Sequence, residues 1–208
     1  MHVSVPRGRR ASRLQGTVGH HLLFRSTDLM DASGVRTTTP ERTWCDLATI
    51  VGLEDLVAAG DHLLASGTPR GLLSEVVEGY PGRRGSRLRR EALGLLDAGA
   101  ESPPESIIRV RVILAGLPRP VSNFVVRDRA GRFVARVDLA YPRFRMAIEY
   151  EGDHHRSDPQ QWARDLARVP HLEDLEMAHD AVRSRRSGRL AEARGGDPPP
   201  SARARLVG

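Results

Sequence analysis

The residues best suited to chemistry gather in one stretch, Phe133 to His155, which reads FVARVDLAYPRFRMAIEYEGDHH. It carries carboxylates at Asp138, Glu149 and Glu151 and imidazoles at His154 and His155. Carboxylate oxygens on rigid strands suit a hard divalent cation. Mg²⁺ is held by a few carboxylates, keeps several waters, and shares the rest of its shell with phosphate oxygens. That is the arrangement phosphodiester hydrolysis uses.

Apolar side chains alternate at Phe133, Ala135, Val137 and Leu139, and again at Met146, Ile148 and Tyr150. This period of two predicts two half-buried strands, Arg132 to Ala140 and Arg145 to Glu151. A four-residue loop of Tyr141, Pro142, Arg143 and Phe144 would set Asp138 opposite Ala147, with Glu149 as its diagonal neighbour on the same face. Glu151 follows two residues further along that face, and Gly152 ends the strand. The pair Asp138 and Glu149 can then share one ion, Mg²⁺ or Mn²⁺. The ordinary alternative is the wet face of an antiparallel sheet, neutralised by Arg136 and Arg145.

Upstream, Val121 to Arg127 reads as a further strand, joined to the next through the turn Asp128-Arg129-Ala130-Gly131. Helices are expected before it. Thr39 is a candidate N-cap with Pro40 at the first helical position, and this helix turns Trp44, Leu47 and Ala48 inward. Leu53 to Ala65 is a second helix stopped by Gly67, and Leu72 to Glu78 a third. Asp61 and His62 on the second read as a surface pair. Ser102-Pro103-Pro104-Glu105 opens a helix to Leu114 with the signature of a capping box, which accounts for Glu105 structurally. Strands are possible at Thr17 to Phe24 and Gly34 to Thr38; the neighbouring His20 and His21 would point to opposite faces of a strand and not chelate together. A helix from Asp158 places Asp165 and Arg168 on its more polar side, and Pro170 breaks it.

Charge is the strongest compositional signal. The chain of 208 residues holds 32 basic against 26 acidic residues, has a pI near 10.7, and contains no lysine, so every cation is arginine. Arginine favours bidentate phosphate contacts, although a GC-rich coding sequence raises its share without selection for binding. The densest run, Arg83-Arg84-Gly85-Ser86-Arg87-Leu88-Arg89-Arg90, leads into a helix N-terminus, where backbone N–H groups favour anions. Arg83, Arg84, Arg87 and Arg90 are the candidate nucleic-acid contacts. The single cysteine, Cys45, excludes an intramolecular disulfide framework. No apolar run reaches the ~18 residues of a spanning helix, and no signal-peptide pattern follows the N-terminal arginines. A cytoplasmic protein without a membrane partner or small-molecule cofactor is expected.

From Thr37 onward the sequence resembles a bacterial, especially actinobacterial, family of restriction-endonuclease-like domains related to very-short-patch-repair endonucleases, within the PD-(D/E)xK nuclease superfamily. The resemblance rests on Thr39-Pro40-Glu41-Arg42-Thr43-Trp44-Cys45-Asp46-Leu47-Ala48, Glu101-Ser102-Pro103-Pro104-Glu105 through Arg109, Ala115-Gly116-Leu117-Pro118, Arg136-Val137-Asp138-Leu139-Ala140, and Glu149-Tyr150-Glu151-Gly152 through His155, Asp165 and Arg168. It implies an α/β chain in which a mostly helical segment precedes a core of helix, three-stranded antiparallel meander, helix and last strand. It also implies metal-dependent cleavage of DNA. Asp138 would be the central metal ligand, Glu149 the second, and Glu105 the helical acid that supports the ion or its water. Glu151 stands where the superfamily name has lysine, and His155 would act as general base or as donor to the leaving oxygen.

The implied division is a remnant N-terminal segment over 1–38, a helical region over 39–99, the endonuclease-like domain over 100–178 and a disordered tail over 179–208. After the Asp165 and Arg168 helix the chain turns rich in Arg, Ala and Pro. Its last core strand is therefore expected to be missing, as a shifted reading frame would leave it. Two rival functions stand beside the nuclease: a DNA-binding regulator of the antitoxin kind that uses the arginines alone, and an inactive, truncated relative.

Overall fold

The computed structural model describes residues 2–6, 8, 10, 15–151 and 178–183. It is a mixed α/β protein of two compact units that divide between Leu117 and Pro118. The helix assigned from sequence to a domain beginning at residue 100 therefore belongs with the helices before it.

In the first unit β1 (His2–Pro6) pairs in parallel with β2 (Val18–Leu22). Strands β3 (Leu29–Ala32) and β4 (Val35–Thr38) form a hairpin. Its two turn residues, Ser33 and Gly34, have φ of 53° and 81°, the double left-handed turn that matches strand twist. Five helices follow: α1 (Pro40–Leu47), α2 (Leu53–Ala65), α3 (Arg70–Gly79), α4 (Ser86–Leu95) and α5 (Pro103–Leu114). The Thr39 hydroxyl accepts from Arg42 N at 3.2 Å, so the expected cap is in place. Trp44, Leu56, Val57, Leu73, Ala92, Leu96 and Val110 make the core from all five helices, and the Trp44 indole donates to Leu56 O at 2.8 Å. Burial pushes the Cys45 thiol up to about 12, so it stays protonated and inert.

Three arginines lie inside this unit. Arg42 donates to Asp28 at 2.6 Å and to Leu23 O at 3.0 Å, and it faces the rings of Phe24 and Tyr80 at 5.1 and 4.6 Å. It thereby ties the segment before β3 to the helices. Arg89 donates to Gly82 O at 2.7 Å and Arg84 O at 2.9 Å beneath Tyr80. Arg109 donates to Asp61 at 2.6 Å, where the Ser106 hydroxyl and Asp97 N also donate, each at 2.6 Å. Asp61 is 1% exposed, which corrects its reading as a surface residue. The partners that make its burial tolerable come from α5 and from the loop before it, 36 to 48 residues away. Burial lifts its carboxyl above the usual range, against the pull of Ser106, Arg109 and the Asp97 amide. His62, its neighbour, is exposed.

The second unit is a four-stranded sheet in the order β5-β6-β7-β8, formed by β5 (Val121–Arg127), β6 (Phe133–Tyr141), β7 (Met146–Glu151) and β8 (Ala178–Arg183). The first three strands are an antiparallel meander, and β8 joins β7 in parallel over six residues. The expectation of a missing last strand is thus corrected, and β8 overlaps the residues assigned to a tail. A ladder is built from backbone N–H and C=O groups, so the open edge of β7 accepts a segment that lacks a run of Val and Ile. Val126, Ala135, Val137, Ala140 and Ala147 form this unit's core. Phe133, expected inside, is 63% exposed, because a register shift between Val126 and Arg127 moves it out of phase. The β5–β6 turn is closed by Asp128, which accepts from the backbone of Ala130 and Arg132, each at 2.9 Å.

Candidate functional site

Asp138 and Glu149 lie on neighbouring central strands, both half-buried. The expected register is corrected here. Tyr141 remains in β6 and pairs with Met146, Ala140 pairs with Ala147, and Leu139 pairs with Ile148. The connection is Pro142–Phe144 in a 3-10 turn, closed by Arg145 at φ 50° with Arg145 N donating to Pro142 O at 3.2 Å. The loop therefore begins one residue later than expected on each strand. Parity is unchanged, so the faces remain as read; the ladder ends with Leu139 and Ile148, and the next residues along the two strands are Asp138 and Glu149. Two carboxylates brought near each other on neighbouring strands favour a shared cation.

Asp138 is held in place. Its Oδ2 accepts from Tyr150 N at 2.8 Å, a bond from the side chain of one strand to the backbone of the next. On its other flank the β5–β6 ladder passes from the pair Ser122 and Leu139 to the pair Phe124 and Val137 without one at Asn123. Asn123 is half-buried and has φ of 50°. Sequence reasoning passed over it, although an asparagine inside a run of strand formers is itself a signal. Arg136, two residues before Asp138, is exposed. The Tyr141 hydroxyl, raised by burial, donates to Pro118 O at 2.8 Å and anchors the start of this unit.

The other expected site residues are distributed more widely. Glu151 is the last residue of β7 and pairs with Arg183. His155, like His154, Asp165 and Arg168, lies outside the described residues. Glu105 belongs to the first unit, on α5, where its two oxygens accept from Glu101 N at 2.9 Å and from the Ser102 hydroxyl at 2.6 Å. Ser102 in turn accepts from Glu105 N at 3.4 Å. This is the predicted capping box, displaced so that the carboxylate reaches one backbone N–H further back. Arg83, Arg84, Arg87 and Arg90 are all exposed around the start of α4, whereas Arg89 from the same run is structural. The N-cap of α4 is Gly85 at φ 73°, without a side-chain acceptor, and Ser86 N donates to Arg83 O at 3.1 Å.

Among the described residues no three His, Cys, Asp or Glu side chains converge as a metal-holding group. The donors in place are the two carboxylates of Asp138 and Glu149. Hard oxygen donors of this number fit Mg²⁺ or Mn²⁺, which retain waters, better than they fit zinc. Among the same residues no helix is long and apolar enough to cross a membrane.

No family model matches the chain, and no solved structure matches it. Two proteins of Mycobacterium tuberculosis do, "Uncharacterized protein Rv2248" and "Uncharacterized protein MT2308". Each is 34% identical over 186 residues, which cover 86% of this chain and 68% of the relative. At that identity and coverage the chain belongs to the family of these two mycobacterial proteins.

Proposed function

We propose that the second unit is a cytoplasmic endonuclease domain that hydrolyses DNA with Mg²⁺ or Mn²⁺ held by Asp138 and Glu149. The observation that carries this reading is that both carboxylates follow directly on the last β6–β7 pair, Leu139 with Ile148, on adjacent strands. Two carboxylates on adjacent strands can share one hard divalent cation. The hydrogen bond from Tyr150 N fixes Asp138 before any ion arrives, so little side-chain freedom is left to lose on binding. A bound ion would supply Lewis acidity and an activated water at the phosphodiester. The order of α5, the meander β5 to β7 and the parallel strand β8 supports the same reading, since the resemblance to restriction-endonuclease-like domains implies helix, meander, helix and last strand; the second of those helices falls outside the described residues. That resemblance also assigns supporting parts to Glu151 and His155.

Nicking of supercoiled plasmid in Mn²⁺ or Mg²⁺ tests the reading. Wild type is expected to cleave, and Asp138→Ala and Asp138→Asn to lose cleavage while melting like wild type; the asparagine keeps an acceptor for Tyr150 N–H. Cleavage that survives in both variants would refute the assignment.

A second reading is favoured by the exposure of Arg83, Arg84, Arg87 and Arg90 around α4. In it the protein is a DNA-binding regulator without catalysis. DNA binding indifferent to EDTA, with no cleavage, would select it.

A further inference from the structure

We infer that Arg89 is a positioning residue for DNA binding, an inference that rests on the second reading, in which Arg83, Arg84, Arg87 and Arg90 meet phosphates. Residues 82–85 lead into α4 outside any helix or strand. Each of their four backbone carbonyls accepts a hydrogen bond, and Arg89 supplies three of the four donors. Its guanidinium donates to Gly82 O at 2.7 Å and to Arg84 O at 2.9 Å, and its own backbone N–H donates to Gly85 O at 2.9 Å. Ser86 N holds the last, Arg83 O, at 3.1 Å. The same guanidinium reaches α1 through Cys45 O at 3.4 Å and lies 3.9 Å from the centre of the Tyr80 ring. Gly82 packs on that ring, where a Cβ would stand 2.7 Å from Tyr80 Cε1. One arginine, itself 1% exposed, therefore sets the path of the loop over the helices.

Arg83 and Arg84 are exposed on this loop. Its backbone is already ordered, so little freedom is left to lose when their side chains meet phosphates. Arg87 and Arg90 stand on α4 itself and do not depend on the loop. Arg89 is buried, so it acts on a polyanion only through the residues it holds. Lysine separates its charge from its placing role. It keeps the cation but has no planar fork of donors with which to span two carbonyls.

The test reads the salt dependence of DNA binding by the full chain, from the fluorescence anisotropy of a labelled duplex in EDTA, with melting followed on the same preparations. Arg89→Lys is expected to flatten the plot of log binding constant against log salt by about 1–2, the share of Arg83 and Arg84 at about 1 for each phosphate contact, and to leave the share of Arg87 and Arg90 in place. In the background Arg83→Gln/Arg84→Gln, where that share is already gone, the same substitution is expected to change the slope no further. A wild-type slope in Arg89→Lys would overturn the inference. So would a further loss in the double-glutamine background, which would mark a general effect on the unit. If Arg89→Lys does not fold, Gly82→Ala takes its place, since its Cβ cannot stand beside the Tyr80 ring and it alters no charge; the same loss supports the inference and a wild-type slope overturns it. A slope that flattens when all four exposed arginines become glutamine, beside a wild-type slope in Arg89→Lys, overturns the inference alone. A slope unchanged by the four glutamines, or a wild type that binds no DNA, overturns the reading of α4 with it.

Discussion

Replacing Arg109 by methionine removes a charge from a place where nothing else can supply it. The Arg109 side chain is 0% exposed and that of Asp61 is 2% exposed, and they meet at 2.6 Å. The variant leaves Asp61 with the Ser106 hydroxyl and the Asp97 N–H, and leaves Leu95 O without the 2.6 Å bond it accepts from Arg109. Removing one partner of a buried pair costs about 3–5 kcal/mol, because the remaining charge is uncompensated. Arg111 provides the control. It binds Glu54 through two bonds of 2.9 and 2.7 Å, but these side chains are 38% and 32% exposed. Arg111→Met should therefore cost less than ~1 kcal/mol. Urea unfolding measures both variants. The double variant Asp61→Asn/Arg109→Met should lose less than the sum of its singles by about 0.5–3 kcal/mol, since the orphaned charge is gone. The pH dependence has a definite sign. Burial already raises the Asp61 carboxyl above its ordinary 3.8, and loss of Arg109 raises it further. A raised acid contributes stability below its unfolded value and loses it as pH rises through the folded value. The Arg109→Met deficit should thus shrink as pH falls from 7 toward 4. A deficit below ~1 kcal/mol at pH 7, or one that grows on acidification, would refute this account of the cluster.

Two further outcomes follow from the same first unit. Replacing Arg83, Arg84, Arg87 and Arg90 together by glutamine should flatten the plot of log binding constant for DNA against log salt by about 1 for each arginine that meets a phosphate, as read by fluorescence anisotropy; an unchanged slope would remove α4 from the interface. Gly85→Ala should lower the unfolding free energy by about 1–3 kcal/mol in urea, because a Cβ there would stand 2.7 Å from Ala48 O at φ 73°, and a neutral result would mean that α1 and α4 can move apart.

The parts of this fold that were legible in the sequence are those decided within a few residues. Thr39 and Pro40 mark the start of α1, and Ser102 with Glu105 marks that of α5, because capping satisfies backbone groups three residues away. Asp128 to Gly131 specify their turn in the same local way. The Asp61 and Arg109 pair was not legible. Its members are 48 residues apart, and each taken alone has the pattern of a surface charge. Nor was β8, since a parallel ladder can form on backbone groups without the apolar run by which strands are recognised.

The candidate site lies between these two cases, and the register of β6 and β7 explains why. Alternation of apolar residues reports the parity of a strand, hence which face Asp138 and Glu149 occupy. It carries no information about how far one strand has slid along the other. Starting the loop one residue later on both strands preserves every face, yet pairs Ala147 with Ala140 instead of Asp138 and leaves Asp138 and Glu149 next beyond the last pair, Leu139 with Ile148. That register is set by a local event, the 3-10 turn at Pro142–Phe144 with Arg145 in the left-handed region. The identity of the acidic residues is therefore encoded in the strand pattern, whereas their distance apart is encoded in the turn. A change at Arg145 that altered the loop could separate the two carboxylates without touching either of them.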